Sequence, residues 1–145
     1  MDFEIGKKDD LIGIIKLNEQ LNNGNPYSLN ENEIQNLWES IENNGIRYFL
    51  AKTNGKIIGS LYICIIINLT YNKKSIGYIE NVIVDENYRK KGIGKKLMEM
   101  AIEYAKEKNC YKVVLQSGMK RTEAHKFYEN IGFNGESKKA FELRF

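Results

Sequence analysis

Ile79-Glu80-Asn81-Val82-Ile83-Val84, and soon after it Tyr88-Arg89-Lys90-Lys91-Gly92-Ile93-Gly94, form the stretch from which the rest of this chain is read. A run of branched apolar residues gives way to a basic turn with two glycines, and Lys95 to Lys108 then shows helical periodicity. Strand, glycine turn and helix in that order let a backbone cradle phosphate. A helix N-terminus leaves its first N–H groups unpaired and carries partial positive charge. Gly92 and Gly94 have no Cβ, so an anion can approach the main chain closely. The pattern Arg-x-x-Gly-x-Gly is not a P-loop, which needs Gly, four residues, then Gly-Lys-Ser/Thr. Nor is it a dinucleotide fingerprint, which needs three glycines and an acid further on. Taken alone, the segment also fits a plain helix start, with glycines for turning and lysines for solvation.

Upstream, Ile46 to Thr53 and Lys56 to Leu69 read as strands around Asn54-Gly55, the strongest short hairpin signal. The polar Thr70 to Ser75 turn leads into a third strand, Ile76 to Val84. Phe3 to Lys7 reads as a first strand, and Asp9-Asp10 opens a helix carrying Leu11, Ile12, Ile15 and Leu17. Asn22-Asn23-Gly24-Asn25-Pro26 is the densest turn signal and ends that helix. A second helix runs from Asn30 to Asn43, with Ile34, Leu37, Trp38 and Ile41 at helical spacing.

Downstream, the helix from Gly92 to Lys108 buries Ile93, Leu97, Ala101 and Ala105, with Met98 and Ile102 widening the stripe. Asn109 ends it. Tyr111 to Leu115 is a short strand, Thr122 to Asn130 a helix closed by Gly132, and Lys138 to Phe145 a last strand. The sum is one α/β domain over residues 1–145, with a mixed, mostly antiparallel sheet of about six or seven strands and about four helices.

The 145 residues suit a single core, and 42% hydrophobic with 28% charged residues is an ordinary globular composition. A net charge of +3 does not demand a nucleic-acid partner. No basic and apolar leader opens the chain. The most apolar run, Ile57 to Leu69, is too short to cross a bilayer as a helix. The expectation is a cytoplasmic protein without a membrane or nucleic-acid partner. Cys64 and Cys110 give neither metal spacing nor a disulfide framework, so no metal is expected and each reads as a buried free thiol.

About thirty residues after the glycine loop comes Ala124-His125-Lys126-Phe127-Tyr128-Glu129-Asn130-Ile131-Gly132-Phe133. The first motif resembles the acyl-CoA pyrophosphate loop of the GNAT superfamily of N-acyltransferases. The second resembles that superfamily's late helix, with Ala-x-x-Phe-Tyr-x-x-x-Gly-Phe spacing. The resemblance covers about Ile76 to Phe133. It implies a GNAT-like fold whose sheet is splayed open for its co-substrate, and acetyl transfer from acetyl-CoA to a primary amine by direct attack in a ternary complex. The alternative on the same scaffold is a non-catalytic acyl-CoA sensor or interaction module.

Such chemistry needs a base for the amine, a donor for the oxyanion and a proton for the departing thiolate. The resemblance makes Tyr128 the acid and Glu80 the base, directly or through a water. Glu80 is the one acid within Ile76 to Val84, where burial would raise its pKa. Plain readings stand beside these: a half-buried core tyrosine, and a glutamate on a solvent face that Tyr78, Glu80, Val82 and Val84 share. The resemblance also implies that Val82, Ile83 and Val84 pair main chain with the pantetheine amides. Arg89, Lys90, Lys91, Gly92, Ile93, Gly94 and Lys95 would hold the pyrophosphate, with Arg89 folding back to order the loop. Phe127 is packing or a wall for the pantetheine arm. His125, the sole histidine, reads as packed or exposed. Arg121 stands where many members carry asparagine, and its role stays open. Candidate acceptor walls are the Asn22-to-Asn30 loop with Tyr27, and the Thr70-to-Ser75 turn. The tail Phe141-Glu142-Leu143-Arg144-Phe145 is similar to aminosugar-phosphate members, whose tails sometimes exchange between protomers, so the expectation includes a homodimer.

Overall fold

A computed structural model describes residues 1–21 and 27–145. The turn expected at Asn22 to Pro26, part of the candidate acceptor loop, lies outside the described residues. The chain forms two compact units, Met1–Val114 and Leu115–Phe145. The first contains strand β1 (Asp2–Ile5), helices α1 (Leu11–Asn18) and α2 (Glu31–Asn43), strands β2 (Ile46–Thr53), β3 (Lys56–Ile67) and β4 (Ser75–Val84), and helix α3 (Ile93–Glu107). Strand β5 (Cys110–Leu115) ends at the boundary, and the second unit holds helix α4 (Thr122–Ile131).

Local chemistry fixes the ends of these elements. Asn30 Oδ1 accepts from the Glu33 N–H at 3.0 Å while the Asn30 N–H donates to Glu33 Oε2 at 2.8 Å. This reciprocal box starts α2 by satisfying two N–H groups that the helix itself cannot. Asn54 and Gly55 adopt φ of 48° and 75°. Two left-handed residues match the twist of the β2–β3 hairpin.

The strand order is β1-β2-β3-β4-β5. The first four are antiparallel neighbours. β5 is reached from β4 through α3, the kind of crossover that parallel neighbours require. The sheet is therefore mixed, with five strands rather than six or seven. The difference lies in part at the tail: Lys138 to Phe145 forms no strand among the described residues, and Phe141, Leu143 and Phe145 are exposed. A strand persists only when its N–H and C=O groups join a neighbour's ladder. The sequence of a tail does not say whether such an edge is present.

Successive strand residues face opposite sides of the sheet. On one side Leu50, Ile57 and Ile83 pack with Ile14 and Leu17 of α1. Leu11, Trp38 and Ile41 join α1 to α2, whereas Leu37 is exposed. On the other side α3 buries Ile93, Leu97, Met98, Ala101 and Ala105 against β2, β3 and β4. The approach is close at Gly59. A Cβ there would lie 2.9 Å from Ile93 Cγ2 and 3.1 Å from Leu97 Cδ1. This glycine sets how near α3, and the loop at its N-terminus, comes to the sheet. Gly59→Val is expected to lower the unfolding free energy by about 1–3 kcal/mol through overpacking. A denaturation midpoint equal to that of the parent would show that α3 is not seated on this residue.

Candidate active site

Glu80 stands opposite Tyr62, and Ile83 opposite Ser60. Leu61 therefore faces two residues of β4, Asn81 and Val82, which is a β-bulge. Asn81 sits at φ 53°. Asparagine is among the few residues that accept the left-handed conformation at small cost, which explains why the bulge falls here. The extra residue inverts the alternation beyond it. Regular pleating would put Tyr78, Glu80, Val82 and Val84 on one side. Instead Ile83 shares the Glu80 side and enters the α1 core, while Val84 pairs with Gly59 on the α3 side. β5 starts level with β4, where the Ser75 N–H donates to Asn109 O at 3.2 Å. β5 has six residues and β4 ten, so β4 runs on past it through Val82, Ile83 and Val84.

Tyr48, Tyr62 and Glu80 form one cross-strand row, and Ile46, Cys64 and Tyr78 the next. The Tyr48 and Tyr62 rings lie 5.4 Å apart, tilted by 55°. All these residues are half-buried. Burial pushes the Glu80 carboxyl above its ordinary value, opposed by a hydrogen bond from the Asn81 backbone. Burial and the neighbouring Glu80 charge raise the Tyr62 and Tyr78 phenols. Tyr48 is pushed up to about 12 by burial, then by Tyr62 and Tyr27. The phenols thus stay protonated near neutrality, while Glu80 shifts toward the range in which a base works.

The loop after β4 is ordered from within. Asp85 is buried; it accepts from the Asn87 N–H at 3.0 Å and from Lys56 Nζ at 2.8 Å. The Lys56 ammonium holds the Asp85 carboxyl below its ordinary value, against the effect of burial. Arg89 Nε donates to Val84 O at 3.1 Å, the fold-back expected of it. Lys91 lies over the Tyr88 ring at 5.0 Å. Lys90 and Gly92 take φ of 61° and 78°, and left-handed turns of this kind make N–H groups converge on an anion. The Lys96 N–H donates to Gly92 O at 3.1 Å, so the N–H groups of Ile93, Gly94 and Lys95 precede the helix ladder. A Cβ on Gly92 would meet nothing within 4 Å. Open main chain, a helix N-terminus and exposed Lys90, Lys91, Lys95 and Lys96 suit a diphosphate.

In the second unit, the spacing Phe127-Tyr128-x-x-x-Gly132-Phe133 has a mechanical explanation. Gly132 ends α4 at φ 112°. Its N–H donates to Glu129 O at 2.9 Å, and the Phe133 N–H donates to Tyr128 O at 3.1 Å. This is a Schellman cap, whose usual apolar contact is here made by the Phe133 ring on Tyr128 at 6.2 Å. Phe127 meets Tyr128 from another side at 5.3 Å. His125 Nε2 is 2.9 Å from Gly118 O, and the Arg121 N–H donates to the same oxygen at 2.9 Å. The histidine therefore braces the turn before α4. Arg121 makes no side-chain cap there.

Residues 8–133 match the family model described as Acetyltransferase (GNAT) family. A glucosamine 6-phosphate N-acetyltransferase of Trypanosoma brucei brucei is 32% identical over 135 residues, covering 92% of this chain and 88% of the relative. The enzyme of that name from Arabidopsis thaliana is 31% identical, covering 76% of this chain and 74% of its own. A solved putative acetyltransferase from Agrobacterium tumefaciens superposes with a TM-score of 0.90 at 31% identity, covering 100% of both chains. The chain belongs to the GNAT acetyltransferase family. As a GNAT acetyltransferase it is an acyl-CoA-dependent enzyme that transfers acetyl to an amine.

Within this GNAT domain, the first unit carries Glu80, Val82 to Val84 and the Arg89-to-Lys95 loop, and the second carries Phe127 and Tyr128. The Thr70-to-Ser75 turn places Tyr71 flat against Tyr111, centroids 4.7 Å apart. Sequence reasoning missed Tyr48 and Tyr62 as neighbours of Glu80. Their signal was a tyrosine in each of three consecutive strands, readable only once the register is known. No helix of the described residues is long and apolar enough to cross a membrane.

The bulge is directly testable. Asn81→Val is expected to cost about 1–2 kcal/mol, because a branched side chain resists the left-handed conformation, whereas Asn81→Gly should stay near the parent. Thermal unfolding of the two variants, alongside turnover, reads the difference. Equal stability of Val and Gly at this position would contradict a left-handed Asn81.

Proposed function

We propose that this GNAT acetyltransferase uses acetyl-CoA and lets a primary amine attack it directly, with both substrates bound together. The observation carrying the reading is Glu80, half-buried beside the bulge on the same face as the tyrosines, with its carboxyl raised by burial. A carboxylate so placed accepts a proton from an incoming ammonium and leaves a neutral amine. Acetyl-CoA supplies the thioester carbonyl that this amine attacks. The main-chain groups of Val82, Ile83 and Val84, where β4 outruns β5, are suited to pair with an extended amide ligand as an added strand does, and to hold the oxyanion. The N–H groups around Gly92 to Lys95, together with the loop lysines, hold the pyrophosphate. Tyr128, its ring packed by Phe127 and Phe133, gives a proton to the departing thiolate.

Direct attack is favoured over an acyl-enzyme by the state of the cysteines. Cys64 shares the tyrosine face, but burial raises its thiol, and Sγ lies 3.5 Å from Asn44 O. A thiol that resists ionisation is a poor nucleophile.

Two measurements test the assignment. kcat/KM is expected to rise with pH through the raised Glu80 pKa, as the carboxylate gains its basic form. Glu80→Gln should lose that limb and about 10²-fold in rate; an unchanged profile would remove Glu80 from the mechanism. Tyr128→Phe should lower kcat by about 10²-fold with acetyl-CoA affinity kept. Full turnover with phenylalanine there would end the proton-donor role.

A further inference from the structure

The face around Glu80 has a chemical character that the proposed mechanism does not use. Tyr48, Tyr62 and Tyr78 stand on this face in three adjacent strands, Tyr48 also packing against the α1 and α2 cores, and the single formal charge in their two rows is the negative one on Glu80. Of the nearby strand cations, Lys112 of β5 lies over the Tyr111 ring at 5.3 Å, and three more are engaged away from this face. Lys52 is held by Glu4 and Asp10, each at 2.5 Å. Arg47 lies over the Tyr104 ring of α3 at 5.7 Å, on the opposite side of the sheet. Lys56 is bound to Asp85 at 2.8 Å. Ring faces and one carboxylate attract an ammonium and its apolar flank. They offer a phosphate phenol O–H donors but no cation, and set the Glu80 charge against it.

We infer that Tyr48, Tyr62 and Tyr78 form the acceptor wall, and that it selects cationic alkyl or arylalkyl amines without a phosphate. This assignment rests on the acceptor face proposed above and deepens it. The ammonium is held by the ring faces and Glu80. Its proton passes to the Glu80 carboxylate, and the free amine then attacks. The tyrosines touch the acceptor's carbon chain and set specificity; none of them takes the proton, since each stays a neutral phenol.

The test compares thiol release from acetyl-CoA with phenethylamine, 1,5-diaminopentane, glucosamine and glucosamine 6-phosphate, in the parent and in Tyr62→Leu and Tyr62→Phe. The phosphate-free amines are expected to exceed glucosamine 6-phosphate by about tenfold or more in kcat/KM. Tyr62→Leu should raise their KM about tenfold, with acetyl-CoA affinity unchanged, and Tyr62→Phe, which keeps the ring, should restore it. Preference for glucosamine 6-phosphate would overturn the assignment, as would equal KM in the Leu variant or a Phe variant as impaired as Leu. Thiol release from none of the four would overturn it as well. An unaltered rate in Glu80→Gln would remove the base but leave the wall's selectivity standing, so the two readings fail separately.

Discussion

One backbone rotation, the left-handed φ at Asn81, decides which way every later residue of β4 faces. Before it, Tyr78 and Glu80 look to the side shared with Tyr48 and Tyr62. After it, Ile83 continues on that side and locks into the α1 core. Without the extra residue, Ile83 would turn toward α3 and the α1 core would lose a member. The bulge thus joins the half-buried stretch that carries Glu80 to a fully packed anchor within four residues of chain. It also places a backbone donor on Glu80 itself, so the element that bends the strand tempers the acid's pKa.

Much of this was legible because local chemistry and global packing agree. Asn54-Gly55 dictates its hairpin, the box at Asn30 dictates the start of α2, and the spacing of Ile93, Leu97, Ala101 and Ala105 dictates the buried face of α3. The turn ahead of α3 was legible for the same reason, since glycine and a helix start act within a few residues. What was not legible depends on register. Tyr48 and Tyr62 are 14 positions apart in sequence and touch only because their strands pair in one alignment. The phase change at Asn81 is invisible to periodicity, which assumes that no residue is inserted. The tail failed as a strand for a related reason: strand formation is a property of two edges, and one segment shows only one.

The late motif shows how a family signature reduces to mechanics. The glycine and phenylalanine that follow Tyr128 close the helix with two backbone bonds and rest a ring on the tyrosine. They restrict the side chain, so that little conformational freedom is left in its ring.

Gly59 carries a consequence of a different kind. Because a missing side chain, rather than a flexible contact, sets the distance between β3 and α3, the helix cannot slide outward without opening a void or inward without a clash. The glycine turn ahead of α3 and the Glu80 carboxylate on β4 are therefore held at a constant spacing, like the jaws of a gauge. A molecule that must reach both is measured by length before its chemistry is tested.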